Sequence, residues 1–278
     1  MTITNFDLLG FIAWLKTEEK GAATISKYEA GVRDFVLWLN GNELTKDAAI
    51  AWKAHLEETG ISAGTINGRL SALNSLLRYL NREDCRVRFL KVQRRIFRDP
   101  NRELTLLEYK RLREAARRSN DEQMYLVIET IGGTGIRVSE LGYITVEAVR
   151  MGRVTVNLKG KLRTILFPAK LQRKLLKYIK KRKIHSGPCF VGKNGDPLNR
   201  KQVWARMKAL CAEAGVAASK VFPHNLRHLF ARTHYARYHD IVCLADMLGH
   251  SSVETTRIYL ITTGEEYAQR LDALGLVS

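Results

Sequence analysis

The chain has 278 residues, 45% of them hydrophobic, and a formal net charge of +18 at pH 7. This composition excludes a disordered chain. The absence of an apolar run of about 18 residues excludes a membrane-spanning helix, and four scattered cysteines without a Cys-x-x-Cys pair exclude a disulfide framework. The excess of positive charge predicts a polyanionic partner, with nucleic acid favoured over an anionic membrane surface.

Residues 1–93 are predicted to form a small bundle of about four helices, because apolar residues recur there with helical spacing. The predicted helices cover 6–15, 28–39, 45–60 and 66–77. Gly41 is expected to end the second helix, and Thr65 is expected to cap the fourth. A basic linker is predicted at 94–103, where Pro100 blocks a helix and arginines could follow DNA phosphates. The alternative is a solvated helix tail followed by a loop.

Residues 104–278 are predicted to form an α+β domain. A capping box at 105–108 opens one helix, a second helix runs from 121 to about 131, and glycines at 132–135 break it. Alternating apolar residues on both sides of a turn at 159–161 predict a β-hairpin. The next helix, at 170–183, has eight basic residues and no acidic ones. Its face of four lysines is either solvated or directed at phosphates: Lys170, Lys174, Lys177 and Lys181.

Several polar residues of the second domain form short patterned segments. His224 and Arg227 share a helix face at i and i+3, just after Pro223. Gly249 is expected to end one helix, which places His250 at a junction between two helices.

The next helix is expected to open with a capping box at Ser251 and to carry Tyr259 about two turns in. Arg137 follows the glycine-rich break, and Glu140 could hold its guanidinium. Two guanidiniums can grip one phosphate, imidazoles can move protons near neutral pH, and a tyrosine can attack phosphorus. Together these groups are suited to a metal-free phosphodiester transfer.

Together these segments resemble the tyrosine recombinase, or phage integrase, family. The motifs that carry the resemblance are at 133–141, 224–228, 248–252 and 255–259. The resemblance implies a mainly α fold, with an N-terminal four-helix (SAM-like) core-binding domain and an α+β catalytic domain that contains the hairpin. It further implies strand exchange at a double-stranded DNA site by four protomers that are weakly associated or monomeric when free. Neither cofactor nor metal is expected, and the location is expected to be the cytoplasm, at the nucleoid.

The resemblance also implies a role for each motif residue. Tyr259 would be the nucleophile that leaves a 3′-phosphotyrosine and a free 5′-hydroxyl. Arg137 and Arg227 would clamp the non-bridging oxygens, His224 would be the general base, and His250 would hydrogen-bond the phosphate.

The family's general acid is a lysine on the hairpin, and two candidates flank Gly160. Lys159 is preferred because Lys159-Gly160 matches the family's Lys-Gly turn, and Lys161 remains the rival. His228 is expected to be a structural partner in the helix of His224.

Four other functions compete with this interpretation. A DNA-binding regulator that lost the chemistry is disfavoured because every polar position of the set is occupied. A type IB topoisomerase would share the chemistry but would act without synapsis. A metallohydrolase is disfavoured because Arg227 lies between His224 and His228, and a membrane-surface protein would leave the motif spacing unexplained. The layout favours a simple two-domain recombinase, and 261–278 is predicted to be a helix that docks on a neighbouring protomer.

Overall fold

The structure is a computed structural model of the chain. It describes residues 2–92, 99–158, 161–261 and 264–276, without the side chains of Phe6, Leu158 and Lys161. The first half of the predicted linker at 94–103, residues 94–98, lies outside these residues. The chain divides into two compact units, Met1–Arg94 and Arg95–Ser278.

The first unit is a four-helix bundle, as predicted. Its helices are α1 (Asn5–Thr17), α2 (Ala22–Leu39), α3 (Lys46–Glu58) and α4 (Ala63–Tyr79). The buried aromatic residues Phe35 and Trp52 lie at its centre, with ring centroids 5.0 Å apart. Two predicted helix ends were wrong. Asn40, in a left-handed conformation, ends α2 instead of Gly41, and Ser62 caps α4 because its hydroxyl accepts the Thr65 N–H.

The second unit is mainly helical and contains a single hairpin in its described part, which confirms the predicted fold class. Its elements are α5 (Leu106–Arg118), α6 (Glu122–Thr134), α7 (Val146–Met151), β1 (Arg153–Leu158), β2 (Lys161–Leu166), α8 (Ala169–Arg182), α9 (Arg200–Ala209), α10 (Cys211–Ala214), α11 (Pro223–Tyr238), α12 (Ile241–Leu248), α13 (Val253–Arg257) and α14 (Gly264–Asp272). No helix among the described residues is long and apolar enough to cross a membrane.

Helix α6 is the central element of the second unit, and α5, α8, α9 and α11 pack around it. It continues to Thr134, three residues beyond the predicted end, because Gly132 and Gly133 are accommodated within the helix. Gly135 ends it with a φ of 66°. A Cβ atom at Gly135 would lie 2.4 Å from Cδ1 of Phe230 on α11, so only glycine lets the two helices approach this closely.

The hairpin pairs β1 with β2 in antiparallel register, with Val156 opposite Arg163 and Val154 opposite Ile165. Side chains of a strand alternate between its two faces. Val156, Arg163 and Ile165 are buried on the inner face. On the outer face Leu162 is exposed.

The basic face of α8 only partly agrees with the hypothesis of a phosphate-facing surface. Lys174 Nζ lies 2.7 Å from the Glu129 carboxylate, and Lys181 Nζ lies 2.7 Å from Glu122. These acidic residues belong to α6, so the sequence of α8 alone gave no sign of them. Two of the four lysines are therefore engaged within the protein.

Candidate active site

The second unit has a cleft of about 860 Å³ at which two of the predicted catalytic residues meet. Arg137 and His250 line it, together with Ser139 and Thr164. Arg137 reaches the cleft because it begins the 3₁₀ turn Val138–Tyr143 just after α6.

Arg227 lies beneath the cleft and is almost fully buried, with 1% of its surface exposed. It is one turn into α11, which Pro223 begins. Its Nη1 donates to the Gly135 carbonyl at 2.6 Å, and its Nη2 donates to the Leu248 carbonyl at 2.8 Å. The same Nη2 is 2.9 Å from Nε2 of His250. Burial and the nearby Arg137 lower the pKa of Arg227 from its usual value.

Glu140 is a buried carboxylate that holds two guanidiniums. One oxygen accepts from Arg137 Nη1 at 3.1 Å, and the other accepts from Arg163 Nη2 at 2.5 Å and from the backbone N–H of Arg137 at 2.7 Å. The predicted pairing of Glu140 with Arg137 is thus present. Arg163 was missed by sequence reasoning. The available signal was its position on the inner face of the hairpin, in alternation with Ile165.

His250 follows Gly249, which ends α12 as predicted. An arginine can only donate, so Nε2 of His250 is the acceptor from Arg227 and Nδ1 carries the proton. Nδ1 then donates to Oγ1 of Thr256, 2.8 Å away. Burial and the neighbouring arginines lower the pKa of His250 to about 4, so its ring is neutral at pH 7.

Tyr259 is buried, with 4% of its surface exposed. Its ring is edge-on to His228, with centroids 4.7 Å apart, and stacks on His250 at 5.8 Å. The predicted position two turns into a helix was wrong. Helix α13 has only five residues, is capped by Ser252 instead of Ser251, and ends at Arg257.

His224 is at the exposed edge of this ring cluster, with its centroid 4.5 Å from that of His228. Partial burial and the nearby Arg227 lower its pKa. Burial lowers the pKa of His228 to about 4, and the charge of His224 adds to that effect. His228 is therefore neutral at pH 7. Because His250 is neutral too, both imidazole rings that contact Tyr259 are uncharged.

The predicted general acid cannot be placed, because Lys159 lies outside the described residues. Lys161 begins β2, but its side chain is outside them too. In the described part of the chain, no group of three His, Cys, Asp or Glu side chains has an arrangement that could hold a metal ion.

The arrangement is suited to holding an anion. Three guanidiniums lie at or beneath the cleft, those of Arg137, Arg163 and Arg227, against the two carboxylates of Glu140 and Asp246. Guanidiniums in a partly dry environment interact with a phosphate more strongly than they do in open water. A phosphodiester in the cleft would lie against Arg137 and His250, and the ring of Tyr259 stacks on that of His250.

Comparison with known proteins agrees with this geometry. The sequence profile described as the phage integrase family matches residues 102–265, and that of the phage integrase N-terminal SAM-like domain matches residues 3–84. Tyrosine recombinase XerA of Pyrococcus furiosus is 30% identical over 99% of this chain and 96% of its own length.

Two solved structures extend the comparison. The crystal structure of XerA recombinase covers 99% of this chain and 100% of its own, at 25% identity and a TM-score of 0.54. A lambda integrase tetramer bound to a Holliday junction has a TM-score of 0.74 at 18% identity, over 93% of this chain and 77% of its own. The second similarity is one of fold alone. These matches confirm the predicted resemblance and the SAM-like N-terminal domain.

Proposed function

The chain belongs to the phage integrase family of tyrosine recombinases, and from that premise we propose that it is a site-specific DNA recombinase acting through a 3′-phosphotyrosine intermediate. The observation that carries the proposal is the convergence of Tyr259, Arg137, Arg227 and His250 at one basic cleft. The four residues come from three separate parts of the chain, with Arg137 90 residues before Arg227 and Arg227 23 residues before His250, so local structure alone does not explain why they meet.

Tyr259 is the proposed nucleophile. Its hydroxyl oxygen attacks the scissile phosphorus, forming the tyrosyl O–P bond while the bond between phosphorus and the 5′-oxygen breaks. The tyrosine proton passes to His224 as the general base, and Lys159 or Lys161 gives a proton to the leaving oxygen. The neutral His228 lies between His224 and Tyr259, with its ring in contact with both. Attack by a 5′-hydroxyl reverses the step, so neither ATP nor a cofactor is needed.

Arg137 and Arg227 are proposed to stabilise the charge that develops on the phosphate oxygens. Arg137 is already at the cleft, with 39% of its side chain exposed. Arg227 donates to His250 and to two carbonyls, which uses three of its five N–H groups, so donors remain for a phosphate oxygen. A phosphate oxygen is a stronger acceptor than a neutral imidazole, because its bond to arginine is assisted by charge. If a phosphate oxygen takes the place of His250 on Nη2, His250 can donate to the phosphate once its proton is on Nε2, with Nδ1 then accepting from the Thr256 hydroxyl.

The proposed partner is a double-stranded DNA recombination site. Residues 101–278 contain 31 basic and 16 acidic side chains, so the positive charge is concentrated around the candidate chemistry. The proposed active assembly has four protomers, as in the lambda integrase tetramer on a Holliday junction. The proposed domain limits are 1–93, 94–103 and 104–278, and the proposed location is the cytoplasm, at the nucleoid.

The test begins with fragmented genomic DNA from the organism that encodes the chain. Fragments that bind the protein are sequenced, and the enriched site is resynthesised as a tiled set of duplexes, each with one nick. Cleavage next to a nick releases a short oligonucleotide, which leaves the covalent adduct trapped. We expect an adduct that survives SDS at one nick position and is absent for Tyr259→Phe.

The same assay separates the competing functions. Site-specific binding without an adduct at any nick position would favour the silent regulator. Adducts combined with relaxation of supercoiled plasmid by isolated protomers, without joining of two sites, would favour a topoisomerase. A recombinase gives adducts and also joined products when two sites are present.

A further inference from the structure

We propose that Arg163 is a positioning residue for strand cleavage. Its guanidinium fixes the hairpin that carries the candidate general acid, Lys159 or Lys161, against the segments that carry Arg137 and His250. The proposal rests on the function proposed above, and it adds a residue that none of the sequence motifs contains.

Arg163 occupies a position at which an apolar side chain would be expected. It is on the inner face of β2, 8% exposed, opposite the buried Val156. Arginine is rarely buried without a partner, because removing its charge from water is costly. Burial lowers the pKa of Arg163 to about 10, even though Glu140 acts in the opposite direction. A side chain under this cost must be held there by specific contacts.

The first of these contacts joins the hairpin to the segment of Arg137. Arg163 Nη2 donates to Glu140 Oε2 at 2.5 Å, across 23 residues of sequence. The same oxygen accepts the backbone N–H of Arg137, and the other carboxylate oxygen accepts Nη1 of Arg137. Movement of the hairpin would therefore pull directly on the carboxylate that orients Arg137.

The second contact joins the hairpin to the segment of His250. Arg163 Nη1 donates to the Leu248 carbonyl, 85 residues away in sequence. Arg227 Nη2 donates to the same carbonyl. Gly249 leaves room for this arrangement, since a Cβ atom there would lie 2.6 Å from Cδ of Arg163.

These two contacts need a planar fork. The two Nη atoms of one guanidinium reach acceptors on two different segments at once, whereas the single ammonium of a lysine cannot reproduce that geometry. β2 begins at Lys161, and β1 ends at Leu158, the residue before Lys159 in sequence. A general acid must lie within hydrogen-bond reach of the leaving oxygen, and a misplacement of about 1 Å can cost about 10²-fold in rate. Arg163 thus fixes the strand that begins at Lys161, which is paired with the strand that ends just before Lys159 in sequence.

The test uses the nicked site found in the adduct assay, in two forms. One form has the normal 5′-oxygen at the scissile phosphate, and the other has sulfur in its place. A thiolate is a much weaker base than an alkoxide, so its departure needs no general acid. Loss or misplacement of the acid therefore slows the oxygen substrate and spares the sulfur substrate.

We expect Arg163→Lys to cleave the oxygen substrate about 10²-fold more slowly than wild type. On the sulfur substrate the cleavage rate of Arg163→Lys should return to within a few-fold of wild type. The alanine variant of whichever lysine is the general acid, Lys159→Ala or Lys161→Ala, should show the same recovery. Affinity for the site should be unchanged. The matched control is Arg153→Lys, an exposed arginine on the same hairpin, which should leave the ratio of the two rates at its wild-type value.

Arg163→Met serves as the second variant, because it keeps the bulk of the stem without the charge. A wild-type rate on the oxygen substrate for either variant would overturn the proposal. A defect that sulfur does not relieve would overturn it too, since Arg163 would then act on the phosphate through Arg137 or on the fold. Failure of both variants to fold would likewise assign Arg163 to the fold. Failure of the proposed function is distinct, because wild type would then cleave neither substrate.

Discussion

Neutralising Glu140 should strongly destabilise the second unit. Its carboxylate is 2% exposed and is the partner of two guanidiniums, Arg137 and the buried Arg163. Removing one partner of a buried ion pair costs about 3–5 kcal/mol, because the other charge is left in a poorly solvating environment. Glutamine keeps one acceptor oxygen, so Glu140→Gln belongs at the lower end, at about 3 kcal/mol. For a unit of this size, that corresponds to a fall in melting temperature of roughly 6–12 °C.

Differential scanning calorimetry measures that shift, and hydrogen exchange assigns it to a unit. Peptides that cover 136–145 and 161–167 should lose protection in Glu140→Gln, while those of the first unit should not. The control is Glu114→Gln, which removes an exposed pair with Arg117 on α5 and should leave the melting temperature within error. Equal melting temperatures for the two variants would refute the claim that Glu140 stabilises the buried guanidiniums.

Three further predictions concern stability and assembly. The folded pKa of His228 is about 4, below the unfolded value, so the unfolded chain binds the extra proton as pH falls from about 6.5 to about 4. The stability that this group contributes should be fully present above that window and fall by about 3 kcal/mol across it, because the pKa difference is about 2.5 units at about 1.4 kcal/mol per unit. In urea unfolding, His228→Phe should therefore lose less stability than wild type over the same window, and an equal loss in both proteins would contradict this. Gly135→Ala should cost about 2–3 kcal/mol, given its positive φ and the clash with Phe230, whereas Gly64→Ala, with open space around it, should be neutral or stabilising in thermal melts. Deletion of 264–278 should impair synapsis or cleavage more than single-site binding, and unchanged cooperativity in gel-shift assays would count against docking by this segment.

Much of the fold could be predicted because its signals are local. The capping box at Thr105 and the alternation of the hairpin involve residues only a few positions apart, and both are present. The helix ends that were wrong are also local, but at each of them two neighbouring residues could serve. Asn40 and Gly41 both tolerate a left-handed backbone, and Ser62 and Thr65 can both cap a helix.

The candidate site was harder to predict, because its contacts are long-range. The motif residues could be named from their spacing, but the burial of Arg227 depends on carbonyls at Gly135 and Leu248 that no spacing rule connects to it. Arg163 was missed because a charged residue in a strand normally faces solvent, and its acceptors are 23 and 85 residues away. The short α13 leaves Tyr259 beyond its end, where its ring contacts His228 and His250, neither of which the helical pattern could indicate.

The identity of the residue bonded to DNA tests the account most directly. Trypsin cleaves after Arg257 and Arg270, so residues 258–270 form one peptide that contains Tyr259 and Tyr267. The trapped adduct is digested with trypsin and nuclease and analysed by fragmentation mass spectrometry. If Tyr259 is the nucleophile, we expect a nucleotide 3′-phosphate on Tyr259 and an unmodified Tyr267. A nucleotide on any other residue, or a trapped adduct that persists in Tyr259→Phe, would contradict it.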